Sequence, residues 1–156
     1  MKLISLSAER DRISSLFSLC QNESQNVDIK SLSIFSQFMA VKSAGFVELT
    51  VQHTLSEYGR QRGNSEISRF VLTSAERLNS LNCVKIEAFL QRFDQDWWSE
   101  VCLKVSDEHL SAIDSLKTIR DQVAHGKHNG TGLTVIKKYF DSVVFFSKEF
   151  QDIILS

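Results

Sequence analysis

The stretch AIDSLKTIRDQVAHGKHNGTGLTVIKKYF, residues 112–140, contains the end of one helix, a polar loop and the start of another helix. On both sides of the loop, GKHNGTG at residues 126–132, apolar residues recur every three or four positions, the spacing of a buried helix face. Thr131 is predicted to cap the second of these helices. Nothing in the chain alternates with a period of two over a useful length, so we expect an all-α fold.

The rest of the chain has the same helical character. Its 156 residues include no proline, which would break helix interiors, and only six glycines. Hydrophobic residues make up 42% and charged residues 24%, so a chain of this length can bury a core without disulfides or a metal. We expect a single domain over residues 1–156, built as a bundle of mostly antiparallel helices. Helices are predicted at residues 4–20, from a cap at Asp28 to about Tyr58, at 66–79, around 86–90, from Asp94 or Asp96 through 103, at 107–125 and at 133–153.

Charge and cysteine content limit the possible classes of protein. The net charge is −1, so any surface for nucleic acid would have to be a local basic patch. Cys20, Cys83 and Cys102 are odd in number and form no C-x-x-C pair, which favours a reducing compartment without disulfides or a zinc module. The start, MKLISLSAERDR, has too short an apolar run for a signal peptide, and no segment is long enough to span a membrane. We expect a cytoplasmic protein.

Arg120 occupies an unusual place in its helix. At about 100° per residue, Arg120 lies between Leu116 and Ile113, inside an arc of roughly 140° that contains six apolar residues of this helix: Ala112, Ile113, Leu116, Ile119, Val123 and Ala124. A guanidinium is seldom buried among apolar groups without a partner. Either it pairs with a buried acid, for which Glu48 on the long helix is a candidate, or the arc faces a cleft or a second subunit.

Asp121 and His125 are four residues apart and share a helix face. A carboxylate near an imidazole favours its charged form, and so does a helix C-terminus, so His125 is predicted to exchange protons near neutral pH. The alternative is an ordinary helix end with a snorkelling arginine and a surface histidine. His128, three residues further on, has no suitably spaced third and fourth ligands. We therefore expect neither a metal nor another cofactor.

The segment LKTIRDQVAHG, residues 116–126, resembles the signature of the HEPN superfamily, an arginine followed by a polar residue and then a histidine. Here these are Arg120, Asp121 and His125. Two earlier segments resemble the RiboL-PSP type of HEPN domain and come in the expected order: SAGFVELTVQHTLSEYGRQR at residues 43–62 and FLQRFDQDWWSEV at residues 89–101. The likeness extends over roughly residues 30–150.

The resemblance implies an all-α bundle of about five main helices with additional short ones. It also implies a homodimer in which Arg120 and His125 of both subunits line one composite cleft. Active members of the superfamily are metal-independent ribonucleases, often in toxin–antitoxin or antiviral-defence settings. The implied partners are therefore RNA, a second copy, and a cognate antitoxin or defence-system protein.

The resemblance also implies roles for individual residues. In cleavage by attack of the RNA 2′-OH, His125 would be the general acid or base and Arg120 would hold the phosphate. Asp121 would orient His125. Further phosphate contacts at the rim of the cleft are expected from three residues: Lys117, Lys127 and His128.

Two positions depart from the pattern of the superfamily. Lys127 stands where one branch has a tyrosine that a partner nucleotidyltransferase modifies, so that route of regulation is not expected here. Asp121 replaces the commoner asparagine and adds negative charge near the RNA. Two other functions therefore remain open: a catalytically silent HEPN module that binds nucleic acid, nucleotides or a protein partner, and a plain helical dimerisation domain.

Overall fold

The computed structural model describes residues 5–156, and within that range the chain forms seven α-helices and no β-strand. This confirms the all-α fold. The first helix was predicted to start at residue 4, which lies outside the described residues together with residues 1–3. The helices are α1 (Leu6–Glu23), α2 (Ile29–Arg62), α3 (Ser65–Glu76), α4 (Cys83–Leu90), α5 (Trp97–Lys104), α6 (Asp107–Ala124) and α7 (Leu133–Leu155).

Side-chain caps fix where several helices begin. The Asp28 carboxylate accepts the Ser31 N–H at 2.8 Å and opens α2, as predicted from the sequence. Asparagines at positions 64 and 82 open α3 and α4 in the same way. The predicted cap of α7 was wrong. Gly132 takes that position, and the N–H of Thr131 is bound instead to Asn129 Oδ1 at 2.9 Å.

Helix α2, 34 residues long, lies at the centre of the bundle and packs against α1, α3, α6 and α7. Hydrogen bonds from Thr50 to Ser147 and from Arg62 to the Ser156 carbonyl show that α2 and α7 run in the same direction. Arg120 of α6 pairs with Glu48, whereas His128, further along the chain just after α6, lies beside Gln37, which comes earlier in α2; α2 and α6 therefore run in opposite directions. The bundle therefore contains both an antiparallel pair, α2 and α6, and a parallel pair, α2 and α7.

The buried apolar side chains form one cluster that draws on all seven helices. Within it, the ring of Phe140 packs against those of Phe17 and Phe46, with ring centroids 5.3 and 5.8 Å apart. In α6 the buried members of the cluster are Ile113, Leu116 and Ile119; Ala112 is also buried, Val123 is half-buried and Ala124 is exposed. The apolar arc of α6 thus turns outward toward its C-terminal end. None of the helices in residues 5–156 has the length and apolar character needed to cross a membrane.

Candidate functional site

Arg120 projects from the half-buried edge of α6 and forms an ion pair with Glu48 of α2. The Arg120 side chain is 29% exposed and that of Glu48 is 16% exposed. Water cannot fully solvate either charge at this depth, so each stabilises the other. Glu48, the partner suggested from the sequence, is thus the residue that pairs with Arg120.

A turn between α3 and α4 adds a third member to this pair. The backbone N–H of Ser80 donates to Glu48 Oε1 at 2.6 Å, and its hydroxyl donates to Asp121 Oδ1 at 2.9 Å. Ser80 holds a φ of 49°, a left-handed conformation that is uncommon for a residue other than glycine. Sequence reasoning missed Ser80, because the polar break at residues 79–82 signals a turn but not its contacts.

The Asp121 carboxylate is held by Ser80 through one oxygen and by Lys117 through the other. Lys117, followed by Ser80, keeps the pKa of the Asp121 carboxyl below its ordinary value. Both oxygens therefore have partners other than His125. The predicted orienting contact from Asp121 to the His125 ring is not present among residues 5–156, and the Lys117 ammonium is directed at Asp121.

His125 lies where α6 ends and is exposed. Gly126, with a φ of 69°, closes the helix: its N–H is bound to the Val123 carbonyl and the Lys127 N–H to the Gln122 carbonyl, the double hydrogen bond of a Schellman motif. His125 and Asp121 are joined only through the backbone, where the His125 N–H donates to the Asp121 carbonyl at 3.0 Å. The imidazole is therefore open to solvent and to a ligand.

The loop after α6 carries the remaining predicted residues. Lys127 and His128 are both exposed. Gln37 Nε2 lies 3.5 Å from His128 Nδ1, which places this loop beside the first half of α2. Within the described part of the chain, no group of three His, Cys, Asp or Glu side chains comes together as a metal site would require.

The predicted residues thus fall into two groups. The first, which Ser80 joins, we call the Arg120 cluster: Arg120, Glu48, Ser80, Asp121 and Lys117. We call the second the His125 loop, residues 125–131.

Arg120 and Glu48 also line an open groove of about 400 Å³ along α2. The other lining residues are Glu9, Phe38, Val41, Lys42, Gly45, Leu49 and Gln52. A guanidinium at a groove can bind a phosphate, and an exposed imidazole can transfer a proton.

Comparison with known proteins identifies the family. Neither the curated proteins nor the solved structures include a significant match. The family model described as RiboL-PSP-HEPN matches residues 7–156, which includes all seven helices except the first residue of α1. The chain therefore belongs to the RiboL-PSP type of HEPN domains.

Proposed function

We propose that this protein is a metal-independent endoribonuclease whose site is completed by a second copy of the chain. The observation that carries the proposal is the pairing, on one helix, of an arginine at an open groove with an exposed histidine at the helix end. Membership of a family related to ribonucleases supports it. We further propose a toxin or antiviral-defence role, with a cognate antitoxin or defence protein as partner.

In the proposed reaction the 2′ oxygen of RNA forms a bond to the adjacent phosphorus, while the bond from phosphorus to the 5′ oxygen breaks. His125 accepts the proton of the 2′-OH or donates one to the departing 5′ oxygen. A cleft lined by both copies supplies a histidine for each transfer. The products are a 2′,3′-cyclic phosphate and a 5′-hydroxyl.

Arg120 stabilises the negative charge that builds up on the phosphoryl oxygens. To do so it must exchange Glu48 for the phosphate, or bind both through different nitrogens of its guanidinium. Asp121 acts as a positioning residue, because its carboxylate joins Ser80 and Lys117 beside Arg120. Lys127 and His128 contact further phosphates from the exposed loop.

The test is cleavage of a mixed-sequence RNA in the presence of EDTA by the wild type and by His125→Ala and Arg120→Ala. Each substitution should reduce the rate at least a hundredfold, the usual contribution of a general acid–base or of a charge-stabilising donor. Arg69→Ala, an exposed arginine on α3, is the matched control and should cleave like the wild type. Helical circular dichroism must be unchanged in all three variants. Cleavage that survives both site substitutions would show that the mechanism is wrong.

A second candidate is a catalytically silent HEPN module that binds nucleic acid or a nucleotide, or docks a protein partner. The observation that favours it is that Arg120 and Asp121 already have charged partners within one chain. It predicts RNA binding at low salt, where phosphate contacts are strongest, without cleavage under any condition. Fluorescence anisotropy beside the cleavage assay separates the two functions.

A further inference from the structure

A second open groove, of about 450 Å³, lies between the end of α3 and helix α4, and we call it the basic groove. Its charged lining residues are all basic and all exposed: Arg77, Lys85 and Arg92. None of the three forms a salt bridge with an acid of residues 5–156. On a chain whose net charge is −1, three unpaired cations around one groove form the local basic patch that a polyanion requires.

The floor of the basic groove is apolar, with Leu78, Leu81, Ala88 and Phe89 among its lining residues. The guanidinium of Arg92 lies over the Phe89 ring, with its Cζ 5.7 Å from the ring centre. A guanidinium plane can stack on an unpaired base, whereas the bases of a duplex are already stacked on one another. Cations around an apolar floor therefore suit a single strand of nucleic acid.

The basic groove adjoins the groove at Arg120, with one turn of the chain between them. The Leu78 carbonyl in this turn accepts a hydrogen bond of 2.8 Å from Nε2 of Gln52, which lines the Arg120 groove. Ser80, a member of the Arg120 cluster, accepts a hydrogen bond of 3.2 Å from Lys85 Nζ through its carbonyl. A strand that crosses this turn therefore passes from one groove to the other.

The Arg120 groove has no excess of positive charge, because Glu9 and Glu48 balance Lys42 and Arg120. A strand with one negative charge for each phosphate needs further cations to hold it. We propose that the basic groove binds the phosphates of single-stranded RNA beside the nucleotides at which the site acts. The inference rests on the proposed function and names a surface that holds the substrate strand outside the Arg120 cluster and the His125 loop.

The first test measures the binding of a short, unstructured, fluorescent RNA by anisotropy at several salt concentrations. Every protein carries His125→Ala, so that the RNA stays intact. Adding Arg77→Gln with Arg92→Gln should weaken binding at low salt by about tenfold or more, and should reduce the slope of log affinity against log salt by about 1.4, or about 0.7 for each lost phosphate contact. Circular dichroism must show the same helicity in each protein.

The matched control is the pair Arg69→Gln with Lys104→Gln. It removes the same charge from exposed positions that do not line the basic groove, and it should bind RNA like the His125→Ala protein. Equal affinity and equal salt slope for the groove variant and this control would overturn the proposal and would leave the basic groove for an acidic protein segment.

A conservative variant separates the effect of charge from a loss of packing. Arg77→Lys with Arg92→Lys keeps both charges and should restore the salt slope. It should also lose part of the affinity for the single strand, and less of the affinity for a duplex of the same sequence, because an ammonium cannot stack on an unpaired base. A lysine variant with the reduced slope of the glutamine variant would show that the groove does not act through its charge. An equal loss for strand and duplex would contradict the choice of single-stranded RNA.

Cleavage assays distinguish failure of this inference from failure of the proposed function. With His125 intact, Arg77→Gln with Arg92→Gln should raise the KM for RNA by about tenfold and leave kcat unchanged, because the groove holds substrate and transition state equally. Groove-dependent binding without cleavage in EDTA would leave the basic groove standing and remove the nuclease. Cleavage with an unchanged KM would do the reverse.

Discussion

Replacing Glu48 with glutamine removes the negative charge that balances Arg120 while nearly preserving the size of the side chain. The guanidinium would remain largely enclosed, with a neutral amide as its partner. The Ser80 N–H would also lose a charged acceptor. We therefore expect Glu48→Gln to destabilise the fold and to free Arg120 for an incoming phosphate.

The magnitude follows from the depth of the pair. Removing one partner of a fully buried ion pair costs about 3–5 kcal/mol, whereas an exposed pair contributes about 0–1 kcal/mol. At 16% exposure for Glu48 and 29% for Arg120, we expect an intermediate loss of about 2 kcal/mol. For a protein of this size, that lowers the melting temperature by about 4–8 °C.

The assay is a double-mutant cycle of Glu48→Gln and Arg120→Gln, followed by urea or thermal unfolding. The coupling free energy between the two positions should be about 1–2 kcal/mol. Glu57→Gln is the matched control on the same helix, since its partner Arg60 is 70% exposed, and it should lose less than about 1 kcal/mol. Additive single effects, within about 0.3–0.5 kcal/mol, would refute the reasoning.

Three further predictions concern the neighbouring residues. Ser80→Ala should lower the free energy of unfolding by about 0.5–1.5 kcal/mol, because the hydrogen bond from the Ser80 hydroxyl to Asp121 is lost. Ser80→Gly should lower it less, because glycine adopts a φ of 49° freely. Urea unfolding measures both effects. The folded pKa of Asp121 is lowered, so its ion pair is present above its ordinary pKa of about 3.9 and is lost as the pH falls through the folded value. Asp121→Asn should therefore be less stable than the wild type at pH 7, and urea midpoints should converge for the two proteins in strong acid. Lys127→Ala should reduce the slope of log RNA affinity against log salt by about 0.7, as measured by anisotropy.

The helices could be predicted because the apolar residues of a buried helix face recur every three or four positions in the sequence. Apolar residues at helical spacing placed α6 and α7 within a few residues, and Asp28 marked the start of α2. The cap of α7 was predicted incorrectly because threonine is a common N-cap residue, whereas Gly132, the next residue, occupies the N-cap position. The parallel packing of α2 and α7 could not be predicted, since it depends on contacts far apart in sequence.

The candidate site was predictable only in part. A guanidinium in an apolar arc requires a partner, but Glu48 is 72 residues from Arg120, so its identity could only be suggested. Ser80 leaves no signal in the sequence, because its role depends on a left-handed backbone in a turn. The spacing of Asp121 and His125 predicts a shared helix face, yet α6 ends at Ala124 and the Asp121 carboxylate turns to Lys117.

The central claim, RNA cleavage by Arg120 and His125, is tested most directly by mass spectrometry of the RNA fragments formed in EDTA. The wild type should produce ends with 2′,3′-cyclic phosphate and 5′-hydroxyl, and His125→Ala should produce none above background. Intact RNA with the wild type, or the same fragments with His125→Ala, would contradict the account.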